Sequence, residues 1–276
     1  MARQAVCFGV NYPGTAYQLR GCENDAHDWA GLLRSNGFAV RVLTAADGPG
    51  DGRPFPARSD LLAAAAGLVD GLSSGDVAFL VFCGHGTWVP DVSGDEADGR
   101  DEALVLADVG DDLAGLVLDD ELGEIFARVP PAAHLVFVTD CCHSGTAHRL
   151  AAGPGGRAAY RRSRFLPPAH LACSGPVVRQ VDRADGRPFR RTRGYGRVVH
   201  FAACQDHETA METEVDGVCR GVFSHAAVPL FAQAAAEGLS YADVYAAIRR
   251  QLPSWAFPQT PTFSAPAVLR RLRVFG

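Results

Sequence analysis

Residues 77–86 read Val-Ala-Phe-Leu-Val-Phe-Cys-Gly-His-Gly, and residues 134–145 read His-Leu-Val-Phe-Val-Thr-Asp-Cys-Cys-His-Ser-Gly. Each is a short apolar run without polar alternation that stops at Gly, Cys and His. Such runs predict strands buried on both faces, the pattern of a parallel sheet covered by helices. Ala5 to Val10, Phe38 to Leu43 and Arg197 to Ala203 read the same way. Between the strands lie segments of helical spacing: Asn24 to Leu33, Ser59 to about Leu72, Asp119 to about Arg128, Phe223 to Ala235 and Tyr241 to Leu252. Strand alternating with helix predicts an α/β layered fold with a mainly parallel sheet and helices on both faces, in which ligands sit at the carboxyl ends of strands.

The stretch from Ala151 to Gly196 breaks this rhythm with Gly-Pro-Gly-Gly at 153–156 and Pro167-Pro168. An insertion of this length without periodicity predicts a functional loop. It divides the chain into a part over 1–150, the loop over 151–196 and a part over 197–276.

At 276 residues, 47% apolar and 21% charged, the chain has ample material for a buried core, which excludes a disordered or fibrous protein. The net charge of -5 hides an asymmetry. All 26 basic residues are arginine, and 11 of them fall between Arg157 and Arg197, opposed only by Asp182 and Asp185. From Asp91 to Glu124 there are 13 carboxylates against the single Arg100. No basic stripe runs along the chain, so a nucleic-acid partner is not expected. The eight cysteines show no framework spacing, no signal-peptide pattern precedes Ala5, and the apolar run Val77 to Cys83 is too short to span a bilayer. A cytoplasmic setting with free thiols and no membrane partner is expected.

The two strand ends carry the chemistry. A cysteine nucleophile needs an imidazole to take its proton and then to protonate the leaving amine, and His85 with Cys141 or Cys142 meets that need. A zinc site built from Cys141, Cys142, His143 and His148 is disfavoured, because these residues lack the ligand separation of structural sites.

Cys83-Gly84-His85-Gly86 and Asp140-Cys141-Cys142-His143-Ser144-Gly145 resemble the strand-end motifs of metacaspases, the arginine/lysine-directed relatives of caspases. Four further pieces are similar and in the same order: Gly9 to Gly14 with Leu19 to Asp25, Asp98 to Glu102 with Leu118 to Leu122, Phe201 to Asp206, and Pro258 to Pro261. The resemblance implies a single caspase-like domain, a three-layer sandwich whose large-subunit-like and small-subunit-like parts flank the arginine-rich loop. It implies Cys142 as nucleophile, His85 as general base and acid, and the amides of Gly86 and Cys142 as oxyanion donors. It places Asp25, Asp140 and Asp206 in a pocket for arginine, with Cys83 where the family has a serine. Each aspartate also has a plainer reading: Asp25 as a helix cap and Asp140 as a holder of the strand-end turn. His143 reads as a packing residue.

Calcium as an activator is a further implication. Asp101, Asp119 and Asp120 fall at family ligand positions, with Asp95, Glu96 and Asp98 as additional hard oxygens. Arg149, at the fourth position, departs from the pattern and weakens that expectation. The chemistry itself requires no cofactor. The function implied is a cysteine endopeptidase that cuts after Arg or Lys through an acyl-thioester, acts on protein or peptide substrates, is monomeric rather than dimeric, and processes itself between Arg157 and Arg197. The alternative is a catalytically silent module of the same fold that binds arginine-bearing partners.

Overall fold

A computed structural model of the chain describes residues 1–90, 99–110, 114–143, 160–168 and 197–276. Its centre is a six-stranded sheet in the order β12-β9-β7-β3-β1-β2. The strands are β1 (Arg3–Gly9), β2 (Ala39–Leu43), β3 (Val77–Cys83), β7 (His134–Asp140), β9 (Val198–Ala202) and β12 (Thr262–Ser264). All neighbours are parallel except β12, which runs antiparallel to β9 at the edge. Every residue of β3 and β7 is buried, as unalternating apolar runs require when both faces are covered. Burying each Phe, Leu or Val of these runs stabilises the fold by about 1.5–3 kcal/mol.

Five long helices flank the sheet. α1 (Cys22–Ser35) packs on β1 and against α4 (Val222–Glu237), which meets α5 (Tyr241–Gln251), while α2 (Arg58–Asp70) contacts β1 and packs against α3 (Asp119–Phe126). A short α6 (Ala267–Arg270) follows. Residues on both sides of the arginine-rich stretch join one buried cluster, with Phe79, Phe231 and Phe275 in mutual ring contact.

Two small antiparallel sheets stand beside this core. One orders β4 (Gly86–Pro90), β5 (Arg100–Val105) and β6 (Leu116–Leu118); the other orders β11 (Val218–Gly221), β10 (Met211–Val215) and β8 (Arg161–Ser163). The second carries part of the expected loop. Residues 160–168 form an ordered strand and turn there, a correction to the expectation of irregular structure, because β8 pairs with β10 from Met211↔Ser163 to Thr213↔Arg161.

Candidate active site

β3 and β7 are adjacent and in register, with Cys83 opposite Asp140, so the two motifs that follow them emerge side by side at the carboxyl end of the sheet. Gly86 accounts for the tight approach: a Cβ there would collide with the Cys142 carbonyl oxygen. His85 and Cys142 are both buried.

The imidazole of His85 is oriented by backbone. Its Nε2 donates to the Tyr17 carbonyl at 2.7 Å, and among the described residues its buried Nδ1 has no hydrogen-bond partner. This leaves Nδ1 with the lone pair, in the tautomer of a base. Burial drives the His85 pKa down to about 4, against the pull of the hydrogen bond to the Tyr17 carbonyl, so the ring is neutral at pH 7. Tyr12 holds the neighbouring backbone: its hydroxyl donates to the Val105 carbonyl at 2.6 Å and accepts from the His85 N–H at 2.8 Å. Neither Tyr12 nor Tyr17 is singled out by the sequence, since a backbone carbonyl and a backbone-bound hydroxyl leave no motif.

The pocket beside this pair is acidic and is filled by the chain's own Arg164, which is fully buried. Its guanidinium lies 2.5 Å from Asp25, 3.1 Å from Asp140 and 3.4 Å from Glu212. Asp25 is not the cap of α1. Its carboxylate instead accepts from the Gly221 N–H at 2.8 Å, and burial pushes its pKa up while the guanidinium pulls it down. Asp140 does more than hold its own turn, accepting from the Ser224 N–H at 3.0 Å in the first turn of α4. Cys83 lines the wall with Sγ 4.0 Å from the Ser224 hydroxyl, its thiol held neutral by burial and by Asp25 and Asp140.

Asp206 requires a correction: it is exposed on the turn after β9, away from the guanidinium. The third carboxylate is Glu212, on β10. Glu212 also accepts from the Arg20 and Gly21 N–H groups at 2.9 and 3.0 Å and from the Tyr160 hydroxyl at 2.5 Å. Gly221 must lack a side chain, because a Cβ would strike both Asp140 and Arg164.

The backbone of Arg164 is placed as definitely as its side chain. Its carbonyl oxygen accepts from the Gly86 N–H at 3.0 Å and from the Cys142 N–H at 3.3 Å, and its N–H donates to the Ala210 carbonyl at 2.9 Å. One residue further on, Phe165 bridges Gly86, and the Leu166 N–H donates to the Gly86 carbonyl at 2.9 Å. The two amides expected as oxyanion donors thus converge on the carbonyl of the one arginine that occupies the acidic pocket.

The neighbours of Cys142 have quieter places. His143 sets Nδ1 3.3 Å from the Thr87 carbonyl and Nε2 3.8 Å from Glu102, a position that shapes the strand end. Cys204, quoted in the sequence only within a longer motif, hydrogen-bonds the Cys142 side chain, and that contact with burial holds its thiol well above the ordinary range.

The acids expected to hold calcium are only partly visible. Asp95, Glu96, Asp98 and Arg149 lie outside the described residues, as does His148 of the disfavoured zinc set. Asp101 is buried on β5, and Asp119 and Asp120 open α3. Burial and the charges of Glu102, Asp120 and Asp101 raise the Asp119 pKa to about 8. Among the described residues no group of three or more His, Cys, Asp or Glu is arranged to hold a metal ion. These residues do not fit a calcium site by themselves, and no step below is routed through one.

A family model described as metacaspase, peptidase C14 domain, matches residues 3–151. Metacaspase-1 of Mycosarcoma maydis is 32% identical over 95% of this chain and 70% of its own length. Metacaspase-1 of Cryptococcus neoformans is 27% identical over 95% of this chain and 62% of its own length, so the chain spans less than two thirds of that relative. A solved structure of a Geobacter sulfurreducens protein superposes with a TM-score of 0.70 at 25% identity, covering 100% of this chain and 98% of that one.

Proposed function

Because the chain belongs to the metacaspase, peptidase C14 family, we propose that it is a cysteine endopeptidase that cuts after arginine and that its first substrate is its own Arg164–Phe165 bond. One observation carries this reading. Arg164 sits with its guanidinium among three carboxylates and its carbonyl oxygen on the Gly86 and Cys142 amides, the arrangement a substrate needs for attack.

His85 Nδ1 takes the Cys142 thiol proton, and the sulfur attacks the Arg164 carbonyl carbon. Negative charge collects on the oxygen that already faces two N–H donors, where fixed donors are worth more than water. The C–N bond to Phe165 breaks as His85 returns the proton to the leaving amine, leaving an acyl-thioester. Water, deprotonated by His85, then releases the Arg164 carboxylate and regenerates the thiol. Arginine suits this pocket because a planar guanidinium presents its donors in a fixed fork that pairs bidentately with carboxylates, whereas the lysine ammonium acts as a compact point charge. Until the bond is cut, the segment denies the pocket to other substrates.

Protein or peptide substrates with arginine before the cut follow from the pocket, a reducing, cytoplasmic setting accords with the free thiols of the described cysteines, and a monomer is carried over from the resemblance alone. Calcium modulation follows from the resemblance to metacaspases alone, since the described residues form no metal site by themselves. The test is an arginine-ended fluorogenic peptide with and without calcium, beside Cys142→Ala. Turnover by the unaltered chain and none by the variant is expected. Equal turnover by both, or none under either condition, contradicts the reading, and a calcium-independent rate removes the calcium clause alone.

A further inference from the structure

Upstream of Arg164 the segment is bound as an added strand, the mode in which backbone pairing gives affinity and side-chain contacts give selectivity. Counting back from the cut, the fourth residue is Arg161. It lies opposite Thr213, and the Thr213 hydroxyl donates to the Tyr160 carbonyl at 2.9 Å, which fixes the register at that distance from the pocket. The Arg161 guanidinium stacks over the Phe257 ring at 4.8 Å from its centroid and donates to the Ala256 carbonyl at 3.3 Å.

The loop that presents these two groups is built rather than draped. Ser254 and Phe257 bond each other's backbone, at 2.9 Å from the Ser254 N–H and 3.2 Å from the Phe257 N–H. Phe257 packs on Met211, Val222 and Leu252. Gln259 ties the loop to the sheets, accepting from the Met211 N–H at 3.1 Å and donating to the Ala203 carbonyl at 3.0 Å. Beside Ala256, Trp255 stands 90% exposed. Arg161 itself is exposed, so its contact with Phe257 does little for the core.

Resting on the proposal that this site cuts after arginine, we infer that the Ser254–Phe257 loop is a second arginine subsite, which selects substrates with Arg four residues before the cleaved bond. The face of Phe257 supplies the cation attraction and the Ala256 carbonyl supplies direction. The preferred substrate class is then a segment of the form Arg-x-x-Arg rather than any exposed arginine.

The test compares coumarin amides of Arg-Arg-Ser-Arg and Ala-Arg-Ser-Arg on the full chain. The first should be cleaved with kcat/KM at least about threefold higher, the size of an exposed cation–π contact alone, with the hydrogen bond to Ala256 adding to it. In Phe257→Leu, which keeps an apolar side chain beside Met211 and Leu252, the difference should shrink to what the Ala256 carbonyl alone supplies, and Phe257→Tyr should restore it. Equal cleavage by the unaltered chain, or a difference undiminished in Phe257→Leu, overturns the subsite and leaves cleavage after arginine standing. No cleavage of either peptide overturns both.

Discussion

Asp25, Asp140 and Glu212 surround a guanidinium, whereas Asp119 lies among Asp101, Glu102 and Asp120. In the first cluster Arg164 brings the counter-charge from the same chain, and both partners of its closest ion pair are fully buried. In the second, burial first and then like charges raise the Asp119 pKa to about 8. The sequence marks Asp25, Asp140, Asp101, Asp119 and Asp120 alike as acidic residues at family positions, yet what faces each carboxylate shapes its behaviour. Burial raises both Asp25 and Asp119, but the guanidinium pulls Asp25 back towards the charged form while like charges push Asp119 further towards the protonated one.

The comparison is broken most severely by removing Asp25. Asp25→Ala leaves the Arg164 guanidinium buried and short of a partner, so the uncut chain should lose about 3–5 kcal/mol, read from its urea unfolding midpoint. It should also lose most of its activity on arginine-ended peptides. Unchanged stability would mean that the pocket contributes no ion pairing. The matching change in the other cluster should act in the opposite sense. At neutral pH with a chelator present, Asp119→Asn replaces a carboxyl that is already largely protonated and should leave the midpoint unchanged or slightly raised. A loss comparable to that of Asp25→Ala would erase the distinction between the clusters.

A smaller effect concerns groups buried without charge. His85 and His134 both have pKa values lowered by burial to about 4. Folded, they stay neutral, while the unfolded chain binds protons below about pH 6.5, so stability is complete above that value and falls as the pH drops towards 4. His134, whose Nε2 lies 3.2 Å from the Tyr241 hydroxyl, is remote from the chemistry. His134→Gln should flatten part of that decline in unfolding midpoints measured between pH 4 and 7, and an identical decline would assign it to other groups.

How far the sequence was legible depended on the kind of signal. The five parallel strands and α1 to α5 follow from apolar runs and helical spacing, because burial of those residues is what makes the elements. β8 could not be read that way. Arg161-Arg162-Ser163 has no apolar face, and it is a strand only because β10 pairs with it and the pocket holds the next residue. Glu212 was missed for a related reason: it lies mid-strand between Met211 and Thr213 with no motif around it, and its role comes from the Arg20-Gly21 backbone and Arg164 brought from elsewhere in the chain. Asp206 misled because its place in a resembling motif says nothing about which way a turn faces. The arginine-rich stretch reads in the sequence as a candidate substrate held in cis, and the proposal rests on Arg164 because, among the described arginines of that stretch, it is the one buried in the acidic pocket.

Mass spectrometry of the intact chain during incubation tests that assignment most directly. The account predicts that the full-length mass gives way to two fragments divided after Arg164, that Cys142→Ala stays whole, and that Arg164→Ala does not yield this cut. A chain that hydrolyses arginine-ended peptides while remaining at full length, or that divides after a different arginine with Arg164–Phe165 intact, would contradict it.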